Sequence, residues 1–226
     1  MAEALYPVFL DLNTQPVLIV GGGDVAWRKT ASLLAAGARI TVVSPRVLPL
    51  FKQTSDIQIL DQPYDTRLVL GTAATRWRLI FAATNATVVN QQVGLDAGAA
   101  GILCCRCDKP EHGDFVGTSH WRRGCVTVAV STGGASPTLA AKICHDLGDQ
   151  VDPALVELAG LMQQWRRQVV LNVPSPTARS KVLRRLSGEP MIAMLERLGS
   201  EAANRLAATW IQEAALEPPS PADAPV

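Results

Sequence analysis

A glycine-rich turn between an apolar run and a helix is the first feature of this sequence that could bind a ligand. The run Val17–Val20 is short, apolar and rich in β-branched residues, as a buried strand is, and three glycines follow it. Gly21, Gly23 and Ala26 fit the phosphate-binding pattern G-x-G-x-x-A. Free N–H groups at a helix N-terminus could hold the pyrophosphate of a dinucleotide. Ligand-free tight turns also use glycine, but the flanking strand, the helix and the Gly37 that ends it favour a dinucleotide site.

Polar side chains follow two further apolar runs. Thr84 and Asn85 come after Leu79–Ala83, and Asp108 comes after Ile102–Cys107. Ligands of open α/β sheets bind at the carboxyl ends of the strands, so these residues would lie beside the cofactor. The alternatives are structural: Thr84 and Asn85 could cap the next helix, and Asp108 could be a turn or helix-capping carboxylate.

A second glycine-rich loop, Thr132–Ser136, follows the predicted strand at residues 126–131. Ser136 as N-cap and Pro137 at the first helical position predict a helix after it. This loop is either another tight turn or an anion site at the wall of the active cleft, and the pattern alone favours neither. The helix carries three apolar residues on one face: Leu139, Ile143 and Leu147.

The predicted strand Arg39–Ser44 bears on the choice between NAD and NADP. In dinucleotide folds an acidic residue about 20 positions past the glycines binds the ribose 2′-OH of NAD. Here the strand ends in Ser44 and Pro45, with Arg46 close by, and an arginine can accommodate the 2′-phosphate of NADP. The sequence therefore leaves this choice open.

These runs, together with a short strand at Ile57–Leu60, predict an α/β fold. Its first part would be a Rossmann-type parallel sheet buried on both faces, and Leu5–Leu12 would be an edge strand or a lead-in that covers the sheet. Strands then give way to helix starts at Asp152, Ser175 and Ser200. The predicted boundaries are a Rossmann NAD-binding domain at 1–116, a strand–loop–helix dimerisation segment at 117–150, a helical domain at 151–215 and a Pro-rich disordered tail at 216–226.

Two apolar stripes in the helical region predict contact with a partner chain or with the first domain rather than a separate core. The stripes are Leu155, Leu158, Met162, Trp165 and Val169, and Met191, Met194, Leu195 and Leu198. We therefore expect a homodimer. Between residues 166 and 205 there are eight basic residues and only three acidic ones. This excess is either a solvated helix face or a surface that attracts a polyanionic small molecule.

Composition narrows the class of protein. With 226 residues, 48% of them hydrophobic, the chain can bury a core, and a net charge of +1 gives no reason to expect a nucleic-acid partner. We see no signal peptide and no apolar run long enough for a membrane span, so a cytoplasmic protein is expected.

The chain has five cysteines, an odd number, and they cluster in one region. This is not the pattern of a secreted protein held together by disulfides, so we expect reduced structural thiols. Cys104, Cys105 and Cys107 could form a soft-metal site, but a second paired motif is missing. His112, His120 and His145 lack ligand pairing, and no metal ligand is assigned.

Several motifs in order resemble the precorrin-2 dehydrogenase and sirohydrochlorin ferrochelatase family, which forms the N-terminal part of siroheme synthases. They are YPVFLDL, VLIVGGGDVAWRK, ITVVSP, AATN with Asn90-Gln91 following, CDKPEHGDF and VAVSTGGASPTLA. The resemblance extends from about Leu5 to Gln150, and more loosely to about Trp210.

The resemblance implies a stand-alone enzyme that dehydrogenates precorrin-2, a tetrapyrrole with eight carboxylates, to sirohydrochlorin with NAD. Some members also insert ferrous iron. Asp108 matches the family's aspartate implicated in both activities and is the expected catalytic residue, whereas Asp114 is expected to be a structural turn residue. The expected cofactor-binding residues are Gly21, Gly22, Gly23, Asp24, Val25, Ser44, Pro45, Ala83, Thr84 and Asn85. The expected substrate-binding residues are Ser131, Thr132, Gly133 and Ser136.

The chain departs from the family near Asp108. The family commonly has Asn-Val-Val before this aspartate, where the chain has Cys105, Arg106 and Cys107, and a proline where it has Thr118. The competing hypotheses are a non-catalytic tetrapyrrole- or metal-binding protein that uses the cysteine cluster, and a Rossmann regulator that senses the dinucleotide ratio.

Overall fold

The computed structural model describes residues 5–70 and 76–218. The predicted disordered tail lies mostly outside these residues; helix runs as far as Leu216. The described chain forms two compact units. The first holds the residues up to Thr118 together with Ser131–Ser136, and the second holds Ser119–Val130 and the residues from Pro137 onward.

A five-stranded parallel sheet is the centre of the first unit. Its strands are β1 (Pro16–Val20), β2 (Arg39–Val43), β3 (Ile57–Leu60), β4 (Leu79–Ala82) and β5 (Leu103–Arg106). They lie in the order β3-β2-β1-β4-β5, and every pairing is parallel. The predicted Rossmann-type sheet is confirmed, and strand β1, which precedes the glycines, lies at its middle.

Both faces of the sheet are buried, because alternate side chains of the apolar strands point to opposite sides. Val17 and Ile19 pack in one core with Leu33 of helix α1 (Asp24–Leu34). Leu18 and Val20 pack in the other core with helix α4 (Thr87–Ala99). Two short helices, α2 (Pro49–Lys52) and α3 (Arg67–Leu70), complete the unit.

The N-terminal lead-in does not form the edge strand that was one of its two expected forms. Residues 5–12 carry no regular secondary structure, and of these only Leu12 is buried. Tyr6 and Phe9 are 88% and 75% exposed, so the alternating apolar pattern does not cover the sheet.

The second unit begins with an antiparallel hairpin against a helix. Strands β6 (Ser119–Arg123) and β7 (Val126–Val130) pair, and helix α5 (Pro137–Asp149) packs on them. A Cβ atom on Gly148 would lie only 2.7 Å from Cδ2 of Trp121, so the missing side chain permits this close packing. Strand β6 was not predicted, because Trp121 is its only large apolar residue.

The helices α6 (Pro153–Asn172), α7 (Pro176–Leu186) and α8 (Glu189–Leu216) follow. Asp152 and Ser175 are their predicted N-caps: each side chain accepts a backbone N–H, from Ala154 and from Ala178. The predicted start at Ser200 corresponds to a kink in α8, where Gly199 has φ 77°.

The helical region has its own hydrophobic core, which corrects the expectation that its stripes need another surface. Trp165, Val169, Leu186 and Met191 are among its most buried members. The two stripes largely face each other within the unit, although Leu155 and Leu198 stay exposed. Several of the basic residues of this region form ion pairs, such as Arg185 with Glu213 and Lys181 with Glu217.

The apolar face of α5 is left largely uncovered by the described residues. Leu139, Ile143 and Leu147 are 49%, 36% and 44% exposed, because the helix turns Ala140, Cys144 and Gly148 toward the hairpin instead. Among the described residues, no helix combines the length and apolar character needed to cross a membrane.

Candidate functional site

A cavity of about 790 Å³ opens at the carboxyl ends of β1, β2 and β4. This is the edge of the sheet where ligands bind in folds of this kind. Its lining includes all ten residues that the sequence predicts to bind the cofactor: Gly21, Gly22, Gly23, Asp24, Val25, Ser44, Pro45, Ala83, Thr84 and Asn85.

The glycine turn leaves room where a dinucleotide would need it. Gly21 has φ 127°, and a Cβ atom there would meet the carbonyl group of Ala83. A Cβ atom on Gly22 would meet the backbone of Arg46 and Val47. By contrast, a Cβ atom on Gly23 would have no neighbour within 4 Å, and Gly23 is the N-cap of α1. The first two glycines are needed for packing, and the third leaves an open approach to the helix N-terminus, so the residues present fit a pyrophosphate.

The loop after β2 is fixed to the glycine turn. Leu48 N–H donates to the carbonyl oxygen of Gly22 at 2.9 Å, and the hydroxyl of Ser44 donates to the carbonyl oxygen of Arg46 at 2.6 Å. Among the described lining residues, Asp24 is the only carboxylate, and it lies at the start of α1 rather than after β2. The geometry of the cavity, like the sequence, therefore does not decide between NAD and NADP.

Thr84, which lines the cavity at the end of β4, is held by the buried side chain of Asn90. The amide oxygen of Asn90 accepts hydrogen bonds from the backbone N–H of Thr84 at 3.1 Å and from its hydroxyl at 2.7 Å. The Asn90 amide nitrogen donates to the carbonyl oxygen of Thr84 at 2.9 Å. Asn90 is fully buried, and sequence reasoning gave it no role beyond the family motif. The signal that could have identified Asn90 is its place near the start of helix α4, shortly after the polar residues Thr84 and Asn85 that follow β4.

Asp108 lies just beyond β5 and is bound by Arg106. The guanidinium donates through Nε to Oδ1 at 3.3 Å and through Nη2 to Oδ2 at 2.9 Å. The side chains of Arg106 and Asp108 are 7% and 18% exposed. Burial raises the pKa of Asp108, but hydrogen bonds from Arg106 and Asn90 and the charge of Arg106 outweigh it, so the pKa lies below its usual value. The carboxylate is therefore ionised at neutral pH and can accept a proton.

Asp114 is tied to the backbone of β5. Its carboxylate accepts the N–H of Cys104 at 2.8 Å, while its own N–H donates to the carbonyl oxygen of Cys104 at 2.8 Å. This reciprocal pair holds the chain after a short 3₁₀ turn at Pro110–His112 against the sheet. Asp114 therefore acts as a structural residue at this position.

The three neighbouring cysteines do not converge. Cys104 packs in one core of the sheet, whereas Cys105 and Cys107 pack in the other, because adjacent strand residues face opposite sides. Burial raises the pKa of Cys104 to about 12, and a hydrogen bond with Cys107 raises that of Cys105. In residues 5–70 and 76–218, no three His, Cys, Asp or Glu side chains are grouped as metal ligands would be. The geometry therefore does not support the three-thiol metal site of the competing hypothesis.

The second glycine-rich loop is braced by its own hydroxyl groups. Thr132 donates through Oγ1 to the carbonyl oxygen of Ser136 at 3.1 Å and accepts the N–H of Ser136 at 3.1 Å. Ser131 Oγ accepts the N–H of Gly133 at 3.2 Å, and Gly133 has φ 63°. These bonds shape the loop, and a role of Ser131, Thr132, Gly133 and Ser136 in binding substrate stays a prediction.

Comparisons with known proteins agree with this geometry. Residues 8–119 match the family described as "Putative NAD(P)-binding". The siroheme synthase of Tolumonas auensis is 33% identical over 189 residues, which are 84% of this chain and 40% of that protein. The siroheme synthase of Methylococcus capsulatus is 37% identical over 173 residues, 76% of this chain and 36% of that protein. The chain thus spans about 40% or less of the length of these curated relatives.

A solved structure shares the fold. The protein named SirC, precorrin-2 dehydrogenase, superposes with a TM-score of 0.71 at 24% sequence identity. The match covers 92% of this chain and 100% of that one.

Proposed function

This chain belongs to the precorrin-2 dehydrogenase and sirohydrochlorin ferrochelatase family, and on that premise we propose that it dehydrogenates precorrin-2 to sirohydrochlorin with NAD. The reaction removes two hydrogens from the macrocycle, one as a hydride and one as a proton. NAD supplies the hydride acceptor when it is bound. The protein must then hold the two reactants together and take up the proton.

The observation that carries this proposal is the position of Asn90 between the dinucleotide cavity and Asp108. Thr84 lines the cavity, Asn90 is hydrogen-bonded to Thr84, and Asn90 lies close enough to Asp108 to lower the pKa of its carboxyl group. A buried amide thus lies between the cavity wall at the end of β4 and the carboxylate at the end of β5. We propose that Asp108 accepts the proton and that the glycine turn at residues 21–23 binds the pyrophosphate.

We further propose that the loop hydroxyls of Ser131, Thr132 and Ser136, with the backbone of Gly133, bind carboxylates of the substrate. Their support is the resemblance of this loop to the family's hydroxyl-rich motif. Iron insertion into sirohydrochlorin, with ferrous iron as substrate, is proposed for the same carboxylate on the same resemblance.

A homodimer and a cytoplasmic location complete the proposal. The uncovered face of α5 at Leu139, Ile143 and Leu147 supports the dimer, because such a patch on a helix is commonly buried by a partner. The five free cysteines support a reducing compartment such as the cytoplasm.

The test is an anaerobic turnover assay with purified protein, precorrin-2 and either NAD or NADP. Sirohydrochlorin and the reduced cofactor should appear together in equal amounts, and Asp108→Ala should abolish both. Asp65→Ala is the matched control, because Asp65 is also paired with an arginine but is exposed to solvent. Cofactor binding without turnover would instead favour the regulator, and metal or haem binding that depends on Cys105 and Cys107 would favour the binding protein.

A further inference from the structure

The pair formed by Arg106 and Asp108 is the one buried ion pair among the described residues. The other pairs have side chains at least 37% exposed, whereas Arg106 is 7% exposed. Its two hydrogen bonds to Asp108 form a fork, the geometry that fixes the plane of a carboxylate as well as its charge.

Helix α4 is shaped to admit this arginine. A Cβ atom on Gly94 would lie 3.3 Å from Cδ of Arg106, tighter than most packed contacts, so a glycine on the helix gives the arginine stem its space. Asn90, one turn earlier on α4, also lowers the pKa of the same carboxyl group. The ionised carboxylate is therefore stabilised from two elements, its own strand end and the helix.

We propose that Arg106 is a positioning residue for the dehydrogenation, which keeps the carboxylate of Asp108 ionised and correctly oriented while a polyanionic substrate lies against it. This inference rests on the proposed function. Each carboxylate of an approaching tetrapyrrole makes a negative charge at Asp108 less favourable and so promotes its protonation, which would remove the proton acceptor. A buried guanidinium opposes that effect, since Coulombic interactions are stronger away from water.

The other charged and titratable groups near the pair are few. Cys107 precedes Asp108 on the chain, and Lys109 and His112 line with Arg106 a second cavity of about 470 Å³. From α4 this cavity is lined by Thr87, Gln91, Gly94 and Leu95, all uncharged. Arg106 is therefore the cation in direct contact with Asp108, and the pH dependence of the reaction should follow this contact.

The experiment compares Arg106→Val, Arg106→Gln and Arg106→Lys with the wild type. Arg67→Val is the matched control, because Arg67 forms the same forked pair with Asp65 two residues away, on the surface. At neutral pH, Arg106→Val should lower kcat by roughly 10- to 100-fold, with little change in the KM for NAD. The acid limb of its kcat/KM profile should move to higher pH, Arg106→Lys should restore part of that shift, and Arg67→Val should behave as wild type.

A second readout is independent of turnover. In protein labelled at the aspartate side-chain carbons, NMR titration of the Asp108 signal, assigned with Asp108→Asn, should show protonation at higher pH in Arg106→Val and Arg106→Gln than in wild type. The proposal is overturned if this titration is unchanged in folded variants, whether or not wild type turns over precorrin-2. It is also overturned if an active wild type and Arg106→Val share one kcat and one acid limb. An inactive wild type alone would contradict the proposed function instead.

Discussion

The backbone of Gly21 passes so close to the end of β4 that a Cβ atom on Gly21 would lie 2.7 Å from the carbonyl carbon of Ala83. Gly21 also has φ 127°, a conformation that other residues rarely adopt. We expect Gly21→Ala to lower the free energy of unfolding. Backbone strain alone should cost about 1–3 kcal/mol, and the clash with Ala83 should add to it. Thermal or urea unfolding would measure the loss.

Gly23→Ala is the control for that prediction and separates folding from binding. Gly23 has φ −92° and no atoms within 4 Å of its missing Cβ, so alanine should cost only the small N-cap preference for glycine, less than Gly21→Ala. The added methyl group would project into the approach to α1, where the pyrophosphate is proposed to bind, and should weaken NAD binding in calorimetry. Equal effects of the two substitutions on stability would contradict this division.

Asp108→Asn should remove the proton acceptor while keeping the side-chain size. We expect kcat to fall by about 10²- to 10⁴-fold, as general-base loss does, with the dissociation constant of NAD unchanged. The variant should also be less stable by about 1–3 kcal/mol, because Arg106 loses its charged acceptor in a buried site. A variant that keeps its rate would exclude Asp108 as the base.

The stability of the Arg106–Asp108 pair should depend on pH in the acid range. The folded-state pKa of Asp108 lies below its ordinary value of 3.8, so the ionised pair contributes fully above that value. As pH falls through the lowered pKa, the carboxyl is protonated and the contribution is lost. The double variant Arg106→Val/Asp108→Asn has no such titration. The difference in unfolding free energy between wild type and this variant should therefore shrink below about pH 4 in urea titrations.

The cysteines should differ in their reactivity toward an alkylating reagent. Cys105 donates a hydrogen bond that lowers the pKa of the Cys107 thiol, which is partly exposed, while burial raises the pKa of Cys104 to about 12. Under native conditions, iodoacetamide at pH 7.5 should modify Cys107 and the exposed Cys125 well before Cys104. Mass spectrometry of timed digests would give the order, and early labelling of Cys104 would contradict the burial argument.

The uncovered face of α5 should hold two copies of the chain together. Ile143→Glu would place a charge in the middle of that face, so we expect the mass from light scattering to fall to that of a monomer. Leu171→Glu is the matched control, since Leu171 is 82% exposed on α6 and lies outside the face. A wild type that is already monomeric would remove the dimer from the proposed function.

The parts of the fold that the sequence predicts well are those in which local chemistry and burial agree. Strands β1, β2 and β4 are largely apolar runs buried on both faces, and the predicted limits of β1 to β5 differ from the observed ones by no more than one residue at any end. The caps at Asp152 and Ser175 were readable because a proline follows each one. In these places one residue type has one favourable structural role.

The sequence fails where an element depends on a distant partner. Two of the five residues of strand β6 are arginines, and the strand is fixed by the fit of Trp121 over Gly148, which lies 27 positions later in the chain. The apolar pattern of Leu5–Leu12 resembles a strand, but these residues join neither sheet of the described chain. In the site, the cavity residues were predicted from the glycine pattern and the resemblance. The two hydrogen bonds from Arg106 to Asp108 and the bonds between Asn90 and Thr84 were not predicted, because side-chain direction at a strand end cannot be read from composition.

The division of the chain into two units limits how it can be cut into fragments. The polypeptide crosses from one unit to the other three times, after Thr118, after Val130 and after Ser136. A fragment cut at the first crossing would lack residues 131–136, and a fragment cut at the last would carry an orphan hairpin without its helix. Neither unit is a contiguous stretch of the sequence, so neither can be expressed complete as a single uninterrupted fragment.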